Sequence, residues 1–272
     1  MKILYKIYAR LFARETFRKL KYAENIPNNP LHDDIYIVEF PKSGITWLSF
    51  ILANVDMLMS DTGTNITYFN IHKFIPDVHQ LRGADIGNEK LEFLDRRLIK
   101  SHASYNPYYY SVIYLLRNPF NVMKSFYRFR KNYGYSGSFG QFIRLDKFGI
   151  DAWVSHVESW LYQHENSPQL LFVLKYEDLK KQKISKLQDL YKNFGLKVDK
   201  NIFEEVFNIT DIKNMRKTEQ LYRKHNPRHR MKFVGEGSIS AVEDMDVNSR
   251  RYIQTHAQKI LKDYYPELLK SI

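Results

Sequence analysis

Four short apolar runs, each followed by a polar or basic turn and then by helix-forming sequence, constrain this chain more than any other feature. Residues 34–40 are dominated by aromatic and β-branched side chains and are stopped by Pro41, so they read as a buried strand. Lys42-Ser43-Gly44 form a tight loop, and residues 46–55 are apolar and long enough for a buried helix. Residues 97–100, 111–116 and 170–175 repeat the strand pattern. The run at 111–116 leads into Arg117-Asn118-Pro119, where Asn118 suits a helix cap and Pro119 the first turn of a helix over 120–131. Residues 61–95, with Gly63, Pro76, Gly83 and Gly87, read as an excursion from the sheet. Helical patterns surround Phe142, cover 151–165, and run from Tyr176-Glu177-Asp178 to about residue 194. The remainder is mostly helical in pattern, interrupted by polar, basic residues 223–232 and by Gly235-Glu236-Gly237. Such strand–loop–helix units predict an α/β fold of three layers, α/β/α, around a mainly parallel sheet. With no repeat, low-complexity linker or composition break, one domain over 1–272 is expected.

In an open parallel sheet, ligands sit beyond the carboxyl ends of the strands, where helices begin and backbone N–H groups point outward. Two of these positions hold cations: Lys42 after the first strand and Arg117 after the third. Gly44 permits close backbone approach, and Lys42, Ser43, Ile45 and Thr46 offer an ammonium, hydroxyls and amides to an anion. The lysine stands before the glycine and the upstream glycine is missing, so this is not the phosphate loop of nucleotide hydrolases, and a kinase on the same sheet is disfavoured.

Pro41-Lys42-Ser43-Gly44-Ile45-Thr46-Trp47 resembles the 5′-phosphosulfate loop of the cytosolic-type sulfotransferases, which use 3′-phosphoadenosine 5′-phosphosulfate (PAPS). The segment from Arg117-Asn118-Pro119 to Ser125-Phe126-Tyr127 resembles that family's 3′-phosphate segment, with Arg117 and Ser125 eight positions apart. Lys100-Ser101-His102 is similar to the strand end that carries the family's catalytic Lys and His. Gly149, Trp153, His156, Val157 and Trp160 resemble a family helix, and Tyr176-Glu177-Asp178 the adenine-side segment. Thr210-Asp211-Ile212-Lys213-Asn214-Met215 is similar to the downstream nucleotide contact. The resemblance covers about residues 34–240, between a basic N-terminal helix and lead-in over 1–33 and a C-terminal helical segment over 241–272.

The resemblance implies a P-loop-like fold and a PAPS-dependent transferase, of a bacterial type, with PAPS as co-substrate, PAP as product and no metal. It assigns Lys42, Ser43, Gly44, Ile45 and Thr46 to the 5′-phosphosulfate, and Arg117 and Ser125 to the 3′-phosphate. Trp47 and Tyr176 fall to the adenine, and Thr210 to the nucleotide. Sulfuryl transfer needs an in-line donor, charge stabilisation on the bridging oxygen and a base for the acceptor hydroxyl. Lys42 and Lys100 supply the cations, and His102, an imidazole titrating near neutrality, is the expected general base. Trp153, His156 and Trp160 lie along one side of a helix and read as packing. One departure stands out: where the family carries an Arg-Lys-Gly loop for the 3′-phosphate, this chain reads Gly235-Glu236-Gly237, with Arg228, Arg230 and Lys232 just upstream.

The acceptor is expected to be a carbohydrate or another small molecule. The aromatic cluster Tyr105, Pro107, Tyr108, Tyr109 and Tyr110, just after His102, would suit a sugar ring or an apolar acceptor equally. The competing reading is a non-catalytic nucleotide- or nucleic-acid-binding α/β module. It draws on 42 Lys plus Arg against 30 Asp plus Glu, a net charge of +12. No nucleic-acid motif interleaves those charges, so no nucleic-acid partner is expected. The absence of cysteine removes thiol catalysis, thiolate metal sites and disulfides. Residues 1–20 form a basic amphipathic pattern without a signal-peptide core, which predicts a cytoplasmic chain and leaves peripheral membrane contact as its alternative role. The oligomeric state is open, since residues 259–272 lack the dimerisation signature of some animal family members.

Overall fold

Successive side chains of a strand point to opposite faces, and in this chain both faces are apolar, so helices must cover the sheet on each side. The computed structural model describes residues 25–67, 69–81, 87, 89–162, 170–225 and 245–269. The strands are β1 (Ile35–Val38), β2 (Leu98–Ser101), β3 (Ser111–Leu116) and β4 (Leu170–Lys175). All pair in parallel, in the order β2-β1-β3-β4, with Val38 opposite both Ser101 and Tyr114. The principal helices are α1 (Ile45–Ser60), α2 (Pro119–Asn132), α3 (Ile150–Leu161), α4 (Tyr176–Lys181), α5 (Lys183–Asn193), α6 (Lys200–Ile209), α7 (Ile212–His225), α8 (Val247–His256) and α9 (Gln258–Tyr264).

Ile35, Ile37, Ile113 and Leu115 face one core, which they share with Leu48, Ile51 and Leu52 of α1, Leu187 and Leu190 of α5, and Phe203 and Val206 of α6. Tyr36, Val38, Val112, Tyr114 and Leu116 face the other, against Met123 and Phe126 of α2, Trp153 and Trp160 of α3, Ile253 of α8 and Ile260 of α9. This is the expected three-layer α/β/α arrangement, with a sheet that is wholly parallel.

The boundaries differ from expectation in instructive ways. β1 leaves the ladder at Val38, two residues early, although the Glu39 N–H still donates to the Ser101 carbonyl at 3.2 Å. α1 continues past residue 55 to Ser60 because the buried Asp56 accepts from the Glu92 and Leu94 amides, at 2.9 and 3.0 Å, tying the excursion back to the helix. The helix expected over 151–165 closes at Leu161, and 163–169 lie outside the described residues. The helix expected after β4 is two, α4 and α5, separated at Gln182. Asn118 caps α2 as its sequence suggests: its side chain accepts from the Phe120 and Asn121 amides, with Pro119 in the first turn.

At the amino end of the sheet, Arg97 and Asp34 are both buried and form a two-pronged pair, Nε and Nη2 to the two carboxylate oxygens at 2.7 Å each. Residues 1–24, which contain the basic amphipathic pattern, and 226–244, which contain Gly235-Glu236-Gly237, Arg228, Arg230 and Lys232, lie outside the described residues. Among the described residues no helix is long and apolar enough to cross a membrane.

Candidate active site

β1 is followed in the sheet by β2 on one side and β3 on the other, so the chain reverses its direction of travel across the sheet between β1 and β3. The crevice at such a switch point, outside the carboxyl ends, is where open α/β sheets bind ligands. The turn after β1 and the residue after β3 meet there: an Arg117 Nη donates to the Lys42 carbonyl at 2.9 Å.

The turn itself is strained. Lys42 has φ 79° and Gly44 has φ 118°. A left-handed lysine costs on the order of 1–2 kcal/mol and persists only where its surroundings enforce it. Gly44 is required twice over, since a Cβ there would lie 2.7 Å from Cδ2 of the Tyr176 ring, apart from the adverse φ. The Lys42 ammonium rests 4.4 Å from the centroid of Phe129 on α2, and burial pushes it below the ordinary lysine value. The Ser43 hydroxyl donates to the Phe40 carbonyl at 2.9 Å, and the Ile45 amide donates to the Glu39 carboxyl at 2.7 Å. Both groups are thus engaged within the turn, as is the Ser43 amide, which donates to the Phe40 carbonyl at 3.2 Å.

Around this turn Trp47, Arg117, Tyr176 and Thr210 come together from four chain segments. The Arg117 guanidinium lies over the Tyr176 ring at 4.3 Å, and Trp47 meets the same ring edge-on at 5.5 Å. The Trp47 indole N–H donates to the Thr210 carbonyl at 3.3 Å, bringing the end of α6 to the start of α1. Arg117 Nε and Thr210 Oγ1 are buried without a hydrogen-bond partner among the described residues, a pattern that suits a polar ligand. Ser125 sits half-buried on α2. Glu177 props the wall from behind: its carboxyl accepts from the Asn118 amide at 3.2 Å and from the Tyr265 hydroxyl at 3.0 Å.

The β2 end builds a second wall. Lys100 is buried, its N–H donates to the Pro76 carbonyl at 2.8 Å, and burial pushes its ammonium below the ordinary value. His102 follows one residue past the strand. Its backbone N–H donates to His79 Nε2 at 2.8 Å, and its Nδ1 lies 3.3 Å from the Glu39 carbonyl oxygen and 4.0 Å from Glu39 Oε1. A carbonyl oxygen only accepts, so Nδ1 carries the proton and Nε2 keeps its lone pair. Desolvation lowers the His102 value, and Asp77 opposes it.

His156, also near this wall, is different in kind. It is buried, its Nδ1 pairs with the Tyr114 hydroxyl at 3.0 Å, and burial pushes its value down to about 3, so it is a neutral core group. Tyr109, from the aromatic cluster, is core as well: it stacks on Tyr36 with centroids 3.6 Å apart, and its hydroxyl pairs with the Ser101 hydroxyl and the Asn25 carbonyl. Among the described residues no group of three or more His, Asp or Glu is placed to hold a metal ion.

Glu39, His79 and Phe129 had no place in the sequence-derived site, and Glu177 entered it only as part of the adenine-side segment. Glu39 carried a signal: an acid inside an apolar strand run is rarely buried without a reason. His79 and Phe129 carried none, because each reaches the site through a contact that only the fold makes.

Comparisons with known proteins bear on the family and the fold. Residues 32–268 match the family model described as the sulfotransferase domain. The human protein Sulfotransferase 4A1 is 31% identical over 201 residues, which is 67% of this chain and 66% of that protein. The crystal structure of mouse sulfotransferase SULT7A1 complexed with PAP superposes with TM-score 0.63 at 17% identity, covering 94% of each chain. Retinol dehydratase in a complex with retinol and PAP superposes with TM-score 0.64 at 16% identity, covering 90% of this chain and 86% of that one.

Proposed function

The chain belongs to the sulfotransferase family, and from that premise we propose that it transfers the sulfuryl group of PAPS to the hydroxyl of a carbohydrate or another small molecule, with His102 as general base. The observation that carries this reading is the contact of His102 Nδ1 with the Glu39 carbonyl oxygen at 3.3 Å: a proton on Nδ1 serves that contact and leaves Nε2 as the basic atom on the β2 wall. As the acceptor oxygen bonds to sulfur, His102 Nε2 takes its proton, and the bond from sulfur to the 5′-phosphate oxygen breaks. Lys42 neutralises the charge left on that oxygen, and Lys100 stabilises the sulfuryl oxygens. Arg117 and Ser125 hold the 3′-phosphate, the planar guanidinium being kept in place by Tyr176 and the Lys42 carbonyl. Trp47, Tyr176 and Thr210 form the adenine side, and Ser43, Gly44, Ile45 and Thr46 shape the 5′-phosphate turn. The donor's two anionic ends thus fall at the ends of β1 and β3, and the acceptor approaches from the end of β2.

The test is release of PAP from PAPS in the presence of a panel of sugars, phenols and lipids. His102→Ala is expected to lower kcat about 10²- to 10⁴-fold with little change in PAPS affinity. An equally active variant refutes the base assignment. If neither PAPS nor PAP raises the melting temperature of the wild type, the nucleotide reading itself fails.

A further inference from the structure

Glu39 is the one acid built into the anion-binding turn. Its side chain is 2% exposed, its Oε2 accepts the Ile45 N–H at the start of α1, and its Oε1 lies 4.0 Å from His102 Nδ1. A carboxylate there has the same sign as the ligand the turn is shaped to hold, and it draws on the same helix amides and the same lysine. We propose that Glu39 is a donor-site residue of this chain that must be the neutral acid when the nucleotide anion is bound, so that nucleotide binding takes up a proton wherever the free protein carries Glu39 as the carboxylate.

The inference rests on the donor reading of the turn and concerns a residue outside the phosphate-loop motif. Its geometry allows the neutral form: Oε2 serves the Ile45 amide as a carbonyl oxygen, and Oε1 carries the hydrogen. The groups that face this carboxyl are Lys42 from the turn, Arg117 and Tyr114 from β3 and its end, Lys100 and His102 from β2 and its end, and Tyr176 from α4. Desolvation pushes Glu39 up to about 8, outweighing the Ile45 amide, the Lys42 and Arg117 charges and the Lys42 backbone amide, all of which favour the carboxylate. A dianion placed on the turn pushes it further in the same direction. The sign follows: below pH 8 Glu39 is already neutral in the free protein, and binding costs no protonation. Above pH 8 each unit of pH weakens binding about tenfold, because the carboxylate must first be protonated.

The experiment is calorimetric titration of PAP into the full chain at pH 8.5, in two buffers of different ionisation enthalpy. PAP is fully ionised at that pH, its second phosphate ionisations lying near 6, so it contributes no proton. Uptake of about 0.8 proton is expected for the wild type, since the free carboxyl is then mostly ionised. Glu39→Gln, which keeps an acceptor for the Ile45 amide, is expected to abolish the uptake and to bind PAP at least tenfold more tightly than the wild type at pH 9.5. Glu39→Ser is a smaller second variant with the same expectation. A wild type that binds without proton uptake overturns the proposal. So does uptake that persists in both variants, which would belong to Lys42, Lys100 or His102. A chain that binds no PAP at any pH instead overturns the donor reading beneath it, so the two failures are distinct.

Discussion

The two ends of one sheet treat an arginine in opposite ways. At the amino end, Arg97 is closed: two prongs on Asp34 at 2.7 Å, and further bonds to the Asn29 and Gly87 carbonyls. At the carboxyl end, Arg117 is held by one carbonyl and one aromatic face, and its Nε is buried without a partner among the described residues. A charge whose hydrogen bonds are all made inside the fold contributes structure. A charge held at only two points leaves guanidinium donors uncommitted within the fold, and those donors suit a ligand.

Substitutions can break this comparison, and the largest effect belongs to the closed end. Arg97→Met leaves Asp34 buried without its counter-charge, and a loss of about 3–5 kcal/mol in unfolding free energy is expected by denaturant titration. Replacing Asp34 by Leu at the same time should recover much of that loss, because the uncompensated charge is then gone. Next comes Gly44→Ala, where the adverse φ and the contact with Tyr176 together predict about 1–3 kcal/mol of lost stability. The displaced ring should carry Arg117 with it, so PAP affinity should fall in the same variant. A smaller effect is expected for Arg117→Lys: about tenfold in PAP affinity, with the melting temperature nearly unchanged, because the lysine keeps the positive charge beside Glu39 and Glu177. If Arg117→Lys destabilised the fold as much as Arg97→Met does, the distinction between the two ends would collapse.

Much of this site is legible in the sequence because its parts are local. The order of strands and helices follows from periodicity, and the Asn118 cap with Pro119 after it needs only four consecutive residues. Lys42 and Arg117 are readable as site residues because a cation directly after a buried strand has few other places to go. What stayed hidden acts across the chain. His79 pins the backbone of His102 from 23 positions away, and Tyr176 lies against both Gly44 and Arg117. The expected aromatic acceptor wall also loses a member, since Tyr109 points into the core beside Tyr36 and Trp160, which composition could not distinguish from lining a pocket.

By itself the sequence determined the layered fold, the family and the placing of Lys42 and Arg117 directly after strands, since these rest on side-chain period, on turn chemistry and on a motif of contiguous residues. The tertiary structure decided which nitrogen of His102 carries the proton, which arginine is spent on an internal partner, and that the acid at position 39 lies under the anion turn. Those outcomes depend on burial and on distances between segments that meet only when the sheet is assembled. Desolvation, which makes a carboxyl neutral or a histidine inert, has no counterpart in the linear chain.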